Sequence, residues 1–365
     1  MLRNTILRVN LSALRSNLRL LKKKSGSVFF CPMVKADAYG LGAQRVASLF
    51  EEEGVDALGV ALVEEGVELR EAGIRSPILI FGGLGGPEDV KVIEENKLTP
   101  VVSSRRELEI LESCLKGPLA IHLKLNTGMN RLGFSPQEFQ EVNAKVLHSY
   151  KLRMEGVCTH LVQAEDWGRL ESLSQKQVSL FLDAVKSLPE GVILHVFNSS
   201  GILSGAVEQV PLGVRPGIAL YDGPSRLGFQ PVVQWESEVL ALHEVCPGEG
   251  ISYNWTWVAK EKSIIAVIGV GYADGYRRAL SNCGKILIKG KRAPVVGTVC
   301  MDYIAVDVTH IKNVGVGEKV VLLGTMGKEE ISVQEMASWM QTISYEILTG
   351  IGKRVPRVYI EANVR

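Results

Sequence analysis

The chain lacks several features that would decide its class at once. Its 41 Lys and Arg nearly match its 40 Asp and Glu, and a net charge of +1 gives no electrostatic reason to expect nucleic acid or a membrane surface as partner. Apolar stretches such as Ile264 to Val270 fall far below the ~20 residues a membrane-spanning helix needs. The six cysteines, Cys31, Cys114, Cys158, Cys246, Cys283 and Cys300, form no Cys-x-x-Cys pair and no metal spacing. Scattered thiols in a chain of 365 residues read as buried side chains, not as a disulfide framework. No Gly-x-Gly-x-x-Gly opens the first helix, which removes the usual dinucleotide signature. What remains is ordinary for a globular protein: 46% apolar and 22% charged residues, and enough length for a large domain plus a smaller one.

Acidic residues are also missing before Asp37, while Arg3, Arg8, Arg15 and Arg19 punctuate a Leu-rich stretch. That composition resembles an organellar presequence. A surface helix explains it as well, since Ser12 can cap it and Leu14, Leu18 and Leu21 share one stripe. The stretch runs straight into a motif at Lys35, so the helix is preferred and the expected location is the cytoplasm.

From residue 28 to about 221, short apolar runs alternate with helical patterns. The strand candidates are Val28–Lys35, Ala57–Leu62, Pro77–Phe81, Thr99–Val102, Leu119–Leu125, Gly156–His160, Val192–Phe197 and Val214–Leu220. Helical periodicity is clearest at Arg105–Leu115, Pro136–Leu147 and Leu173–Leu188. Eight such units, each with a continuous apolar run, point to an α/β fold built as a (β/α)8 barrel of the TIM type, spanning residues 1–229. A six-stranded open sheet is the alternative. Beyond about Gln230, strand-like runs (Val239–Cys246, Ile264–Val270, Lys285–Ile288, Ala305–Val308, Lys319–Leu323) are joined by turn pairs such as Pro247-Gly248 and Lys289-Gly290. Residues 230–365 therefore read as a mainly antiparallel β domain, with one helix expected over Ser332–Thr342 and with residues 1–10 expected to pair with it.

The first strand ends in Val34-Lys35-Ala36-Asp37-Ala38-Tyr39-Gly40-Leu41-Gly42. A lysine closing an apolar strand is costly unless paired or neutralised, and the bland explanation is a head group emerging at the barrel rim. Yet strand ends on that face are where barrel enzymes build their sites. A lysine whose pKa is lowered there is the residue that forms imines with carbonyls.

VKADAYGLG resembles the cofactor-lysine signature of the alanine racemase family, and the resemblance continues in order through LKLNTGMNRLGF, GVCTHL, HVFNSSG, VRPGIALYDG, ISYNWTW, GVGYADGYRR, APVVGTVCMD and SYEILTGIGKRVPRVY. It implies pyridoxal phosphate (PLP) as cofactor, held by Lys35 as a Schiff base, and interconversion of L- and D-alanine for peptidoglycan. Lys35 then moves the Cα proton on one face and Tyr272 of the other subunit on the opposite face, in a homodimer with shared sites. The resemblance assigns Tyr39, Ser199, Gly217, Ile218 and Tyr345 to the phosphate and Arg215 to the pyridine nitrogen, with His160 and Arg215 activating Tyr272. An arginine there leaves that nitrogen unprotonated, which favours prompt reprotonation of Cα. Arg131 and the Met301 backbone take the substrate carboxylate, and Lys124 matches a lysine that is carbamylated in many relatives.

Several positions depart from the family pattern. Asn126 stands for Asp, Asn130 for Gly or His, Leu41 for His, Asp222 for Gly, and Asn254-Trp255 for a smaller pair. They leave a broader amino-acid specificity open, with serine or basic amino acids as candidates. A PLP-dependent decarboxylase shares the two-domain plan, but pairs the ring nitrogen with a carboxylate and lacks the GYADGY tyrosine. A non-catalytic PLP-binding protein would lack the β domain.

Overall fold

In the computed structural model, which describes residues 4–361, backbone contacts divide the chain into two units. One comprises Arg15–Ala38 and Gly42–Phe229, and the other Met1–Leu14, Tyr39–Leu41 and Gln230–Arg365.

The first unit carries seven parallel strands in sequential order: Leu58–Val60, Ile78–Ile80, Thr99–Val102, Leu119–Lys124, Leu152–Cys158, Ile193–Phe197 and Gly213–Val214. Helices join them, among them Arg105–Cys114, Pro136–Leu147 and Leu173–Val185. The eighth place belongs to residues 29–34, which form bridges rather than a continuous strand. Phe30 pairs with Val214 and Met33 with Gly59, so the segment touches both edge strands and closes the ring. Pro32 explains the interruption, because it has no N–H to give the ladder. The expected strand Val214–Leu220 is likewise shorter: Pro216 stops the ladder and Ile218–Asp222 turns as a helix. Cys31, Ala57, Leu79, Val101 and Cys158 fill part of the interior, with Phe29 and Phe81 against them. Burying a side chain such as Leu79 contributes about 1.5–3 kcal/mol.

The N-terminal helix spans Leu11–Ser25, with Leu14, Leu18 and Leu21 fully buried. Its cap is not Ser12. Asn10 Oδ1 accepts the Ala13 N–H at 3.0 Å, so the residue ending the preceding strand also starts the helix. Arg15 and Arg19 face Glu52 and Glu53, and Arg8 faces Glu236, which gives these basic residues a structural use. Arg3 lies outside the described residues.

In the second unit the strands Val233–Val245, Ser263–Ile268, Ile304–Asp307, Lys291–Val296, Lys285–Ile288 and Lys319–Met326 pair antiparallel in that order, and the last pairs again with the first. Six strands thus close on themselves. Ile6–Asn10 adds antiparallel to Val233–Val245 and carries Arg357–Ile360 parallel on its other side. Lys289 and Gly290 both have positive φ, the geometry of a two-residue hairpin turn. Ser332 caps the helix Val333–Trp339 by accepting the Glu335 N–H.

Candidate active site

Lys35 opens a helical turn, Lys35–Gly40, whose residues Ala36, Asp37, Ala38, Tyr39 and Gly40 all have positive φ. The turn is left-handed, which costs an L-residue about 1–2 kcal/mol per position. Sequence reading did not foresee it. Its first part is tied down by short bonds: Glu65 Oε1 accepts the Ala36 N–H at 2.6 Å, and Asp37 accepts from Ala43 at 2.7 Å and Gly42 at 2.9 Å. Such strain persists only where the surroundings over-determine it. Farther along the turn, Arg357 donates to the Gly40 carbonyl at 2.9 Å, and the Tyr39 and Tyr345 rings lie 5.9 Å apart. Burial raises the Tyr39 phenol, with Tyr345 adding to the effect, so Tyr39 keeps its proton as a hydrogen-bond donor.

Barrel strand ends bring Lys35, Lys124, His160, Ser199 and Arg215 to one face. Burial lowers Lys35, Arg131 lowers it further, and Glu65 opposes both. Burial also lowers Lys124; Cys158 opposes this, while Arg215, Arg131 and Lys35 add to it. His160 is pushed down to about 3 by burial and then by Arg215, Arg131, Lys124 and Lys35. These groups feel one another's charge, so the pocket concentrates positive potential. It suits a ligand carrying phosphate and carboxylate.

Arg215 is buried and held by its terminal nitrogens. Nη1 donates to His195 Nδ1 at 2.9 Å and to the His195 carbonyl at 2.6 Å; Nη2 donates to the carbonyls of Thr159 at 2.5 Å and Val196 at 3.1 Å. All four Nη hydrogens are therefore used. Nε–H has no protein acceptor among the described residues, and it remains as a donor of fixed position. A guanidinium so arranged fits a heteroaromatic nitrogen that accepts one hydrogen bond. The ring partner of Arg215 is His195, not His160, and sequence reading passed over His195 as it did His122. The available signal was an imidazole inside each of two apolar strands, LAIHLK and ILHVF.

Ser199 Oγ accepts N–H bonds from Gly217 at 2.9 Å and Ala219 at 3.2 Å. With its lone pairs taken, its own O–H is left to donate. Ile218 begins the short helix, so its N–H is among that helix's orphan donors. The residues present therefore fit PLP: a phosphate on Ser199, the pyridine nitrogen on Arg215, and an aldehyde meeting an amine of lowered pKa.

Two of the unusual residues prove to be partners. Asn126 Oδ1 accepts from Gly128 at 3.1 Å and from Asn130 at 3.0 Å, and Asn126 Nδ2 donates to Asn130 Oδ1 at 3.0 Å. Asn130 has φ +53°, a conformation asparagine tolerates better than most residues. The pair shapes the loop that presents Arg131. An aspartate at position 126 would have no amide to donate.

In the second unit, Tyr272 and Met301 are joined through the backbone: Tyr272 N–H donates to the Cys300 carbonyl and Ala273 N–H to the Met301 carbonyl, both at 3.0 Å. A Cβ at Gly271 would lie 2.3 Å from the Met301 carbonyl oxygen, so only glycine permits this approach. Buried Asp274 accepts the Gly271 N–H at 3.0 Å and faces Arg354 at 3.2 Å. The assembly presents Tyr272, 39% exposed, and Met301, 52% exposed, outward.

The family model described as alanine racemase, N-terminal domain matches residues 9–225, and the one described as alanine racemase, C-terminal domain matches residues 232–359. The chain is 40% identical to an alanine racemase of Halothermothrix orenii, over 98% of this chain and 97% of that one. Among solved structures, an alanine racemase from E. faecalis superimposes with TM-score 0.91 at 32% identity, covering 98% of each chain. An alanine racemase from Bartonella henselae with covalently bound pyridoxal phosphate gives TM-score 0.88 at 28% identity, covering 98% of this chain and 99% of that one.

Proposed function

The chain belongs to the alanine racemase family, and from that premise we propose how its own residues carry the reaction. It is a PLP-dependent isomerase that interconverts L- and D-alanine. Bound PLP supplies an electron sink for the pair left at Cα when its proton departs.

Lys35, whose amine burial lowers, would hold the cofactor through its aldehyde and exchange the Cα proton on its own face. The opposite face needs a second acid/base, and Tyr272 of the partner subunit takes that place. The exposure of Tyr272 and Met301 supports a homodimer in which each chain completes the other's site. Residues 1–229 form the PLP-binding part, and residues 230–365 supply Tyr272 and the Met301 backbone.

Ser199, Tyr39, Tyr345 and the N–H groups of Gly217 and Ile218 hold the phosphate. Arg215 Nε gives the pyridine nitrogen a hydrogen bond without giving up a proton, because guanidinium does not deprotonate. A ring nitrogen left unprotonated would withdraw charge from Cα only weakly, which favours prompt return of a proton from Lys35 or Tyr272. His160 stays neutral beside Arg215 and serves in the network around Tyr272. Arg131 and the Met301 N–H bind the substrate carboxylate. Burial lowers the Lys124 amine, and a carbamate formed there with carbon dioxide would turn repulsion from Arg131 into attraction. The free thiols suit a cytoplasmic enzyme supplying D-alanine for peptidoglycan.

The observation that carries this reading is Arg215, with four hydrogens spent on the protein and one left for the ring. The test is incubation of PLP-loaded enzyme with L-alanine in heavy water. Loss of optical rotation with deuterium at Cα is expected. Release of carbon dioxide would show a decarboxylase, and exchange without inversion would remove Tyr272 from its role.

A further inference from the structure

Arg215 is a buried cation, and no carboxylate pairs with it directly among the described residues. It does reach one indirectly. His195 Nε2 lies 2.8 Å from His122 Nδ1, and His122 Nε2 lies 3.7 Å from Glu155 Oε2. Arginine can only donate, so His195 Nδ1 must accept from Nη1 and the His195 proton sits on Nε2. That proton is given to His122 Nδ1, which places the His122 proton on Nε2, facing Glu155. Every donor in the chain points away from Arg215 and toward the carboxylate. The last step, at 3.7 Å, is electrostatic attraction more than a full hydrogen bond.

The barrel is shaped around this chain. A Cβ at Gly156 would lie 2.5 Å from His122 Nδ1, and a Cβ at Gly213 would lie 2.8 Å from His195 Cβ. The strand ladder shifts register between Ile121 and His122 and again between His195 and Phe197. Phe29 stands 5.5 Å from the His195 ring and Phe81 6.2 Å, which encloses the imidazoles in apolar surface. Burial holds both histidines below their ordinary range, so neither carries a charge that would oppose Arg215. Glu155 is lowered, first by His122, and is ionised.

We infer that Glu155 is the remote counter-ion of Arg215, connected to it by two neutral imidazoles of fixed tautomer, and that it sets how strongly Arg215 Nε donates toward the cofactor ring. This rests on the assignment of Arg215 to the pyridine nitrogen. Hydrogen bonds in series polarise one another, so negative charge at Glu155 makes His195 Nδ1 a better acceptor and draws Arg215 toward it. Glu155 contacts His122 and Arg153 and is not among the residues assigned to cofactor or substrate. It is a positioning residue, as are His122 and His195.

The test uses holoenzyme labelled with 15N-histidine, in which six imidazoles report: His122, His148, His160, His195, His243 and His310. Long-range proton–nitrogen spectra should show His122 and His195 neutral with the proton on Nε2. Enzyme reconstituted with PLP carrying 15N in its ring is then compared as wild type, Glu155→Gln and Glu155→Leu. The ring-nitrogen resonance should move toward its protonated position in the Leu variant and less far in Gln, which retains an acceptor. In the Leu variant kcat should fall about tenfold while KM stays within about twofold. A proton on Nδ1 of either histidine in the wild type, or one ring-nitrogen position for all three proteins, would overturn the inference. The wild-type spectrum decides even if the Leu variant does not fold. A pyridoxyl label absent from Lys35 would instead contradict the assignment of the site.

Discussion

Gly40 offers the sharpest quantitative check on the strained turn. Its φ is +83°, and a Cβ there would sit 2.6 Å from the Leu348 carbonyl oxygen, a backbone atom with little freedom to retreat. Gly40→Ala therefore meets two costs. The left-handed conformation costs an L-residue about 1–2 kcal/mol. Forcing a methyl into occupied space costs about 1–3 kcal/mol more. Together they come to about 2–5 kcal/mol. Gly26 is the internal control, with φ +68° and open space within 4 Å of where a methyl would sit, so Gly26→Ala should cost only about 1 kcal/mol. Equilibrium unfolding in urea, read by far-ultraviolet dichroism, gives both midpoints. Gly40→Ala should also retain less cofactor, read by visible absorbance, because the turn begins at Lys35. Equal midpoint shifts for the two variants, or full cofactor retention in both, would show that the Leu348 contact does not hold the turn.

Other outcomes follow from the site. Burial and four cationic neighbours hold His160 down to about 3, so below pH ~6.5 the unfolded chain takes up a proton that the folded chain refuses. Stability from this residue is complete above pH ~6.5 and falls by about 1.4 kcal/mol per pH unit as the pH drops toward 3. Cofactor-free protein should lose about 2 kcal/mol more between pH 7 and pH 5 than His160→Gln does, and equal losses would contradict the burial of a neutral imidazole. Inactive Lys35→Ala mixed with inactive Tyr272→Phe should regain activity on subunit exchange, because each hybrid holds one complete site. No recovery after exchange is confirmed by mass spectrometry would rule out shared sites.

Much of the fold was legible because it rests on local patterns. Buried parallel strands such as Thr99–Val102 are continuous apolar runs, and Pro136–Leu147 carries both its cap and its period in the sequence. Lys289-Gly290 marks its hairpin through the same positive φ it adopts. Features that depend on distant partners were not legible. The left-handed turn after Lys35 has ordinary residues in Ala36, Asp37 and Ala38, and it exists because Glu65 and residues 42–43 hold it. Lys291–Val296 was missed because Pro294 weakens a strand signal, although its neighbours supply the ladder. The closed ring of six strands depends on Val233–Val245 meeting Lys319–Met326 across many intervening residues. Among site residues, Lys35 stood out as a charge closing an apolar strand, and Arg215 was marked only by the family resemblance. His195 and His122 did not, since a single imidazole in a strand gives no hint of the partner two strands away.

Every role proposed for the site depends on a covalent link between Lys35 and the cofactor. Holoenzyme treated with borohydride, digested and mapped by mass spectrometry should carry its pyridoxyl group on the peptide containing Lys35. A label on another residue, or none on folded and PLP-saturated protein, would show that Lys35 does not hold the cofactor.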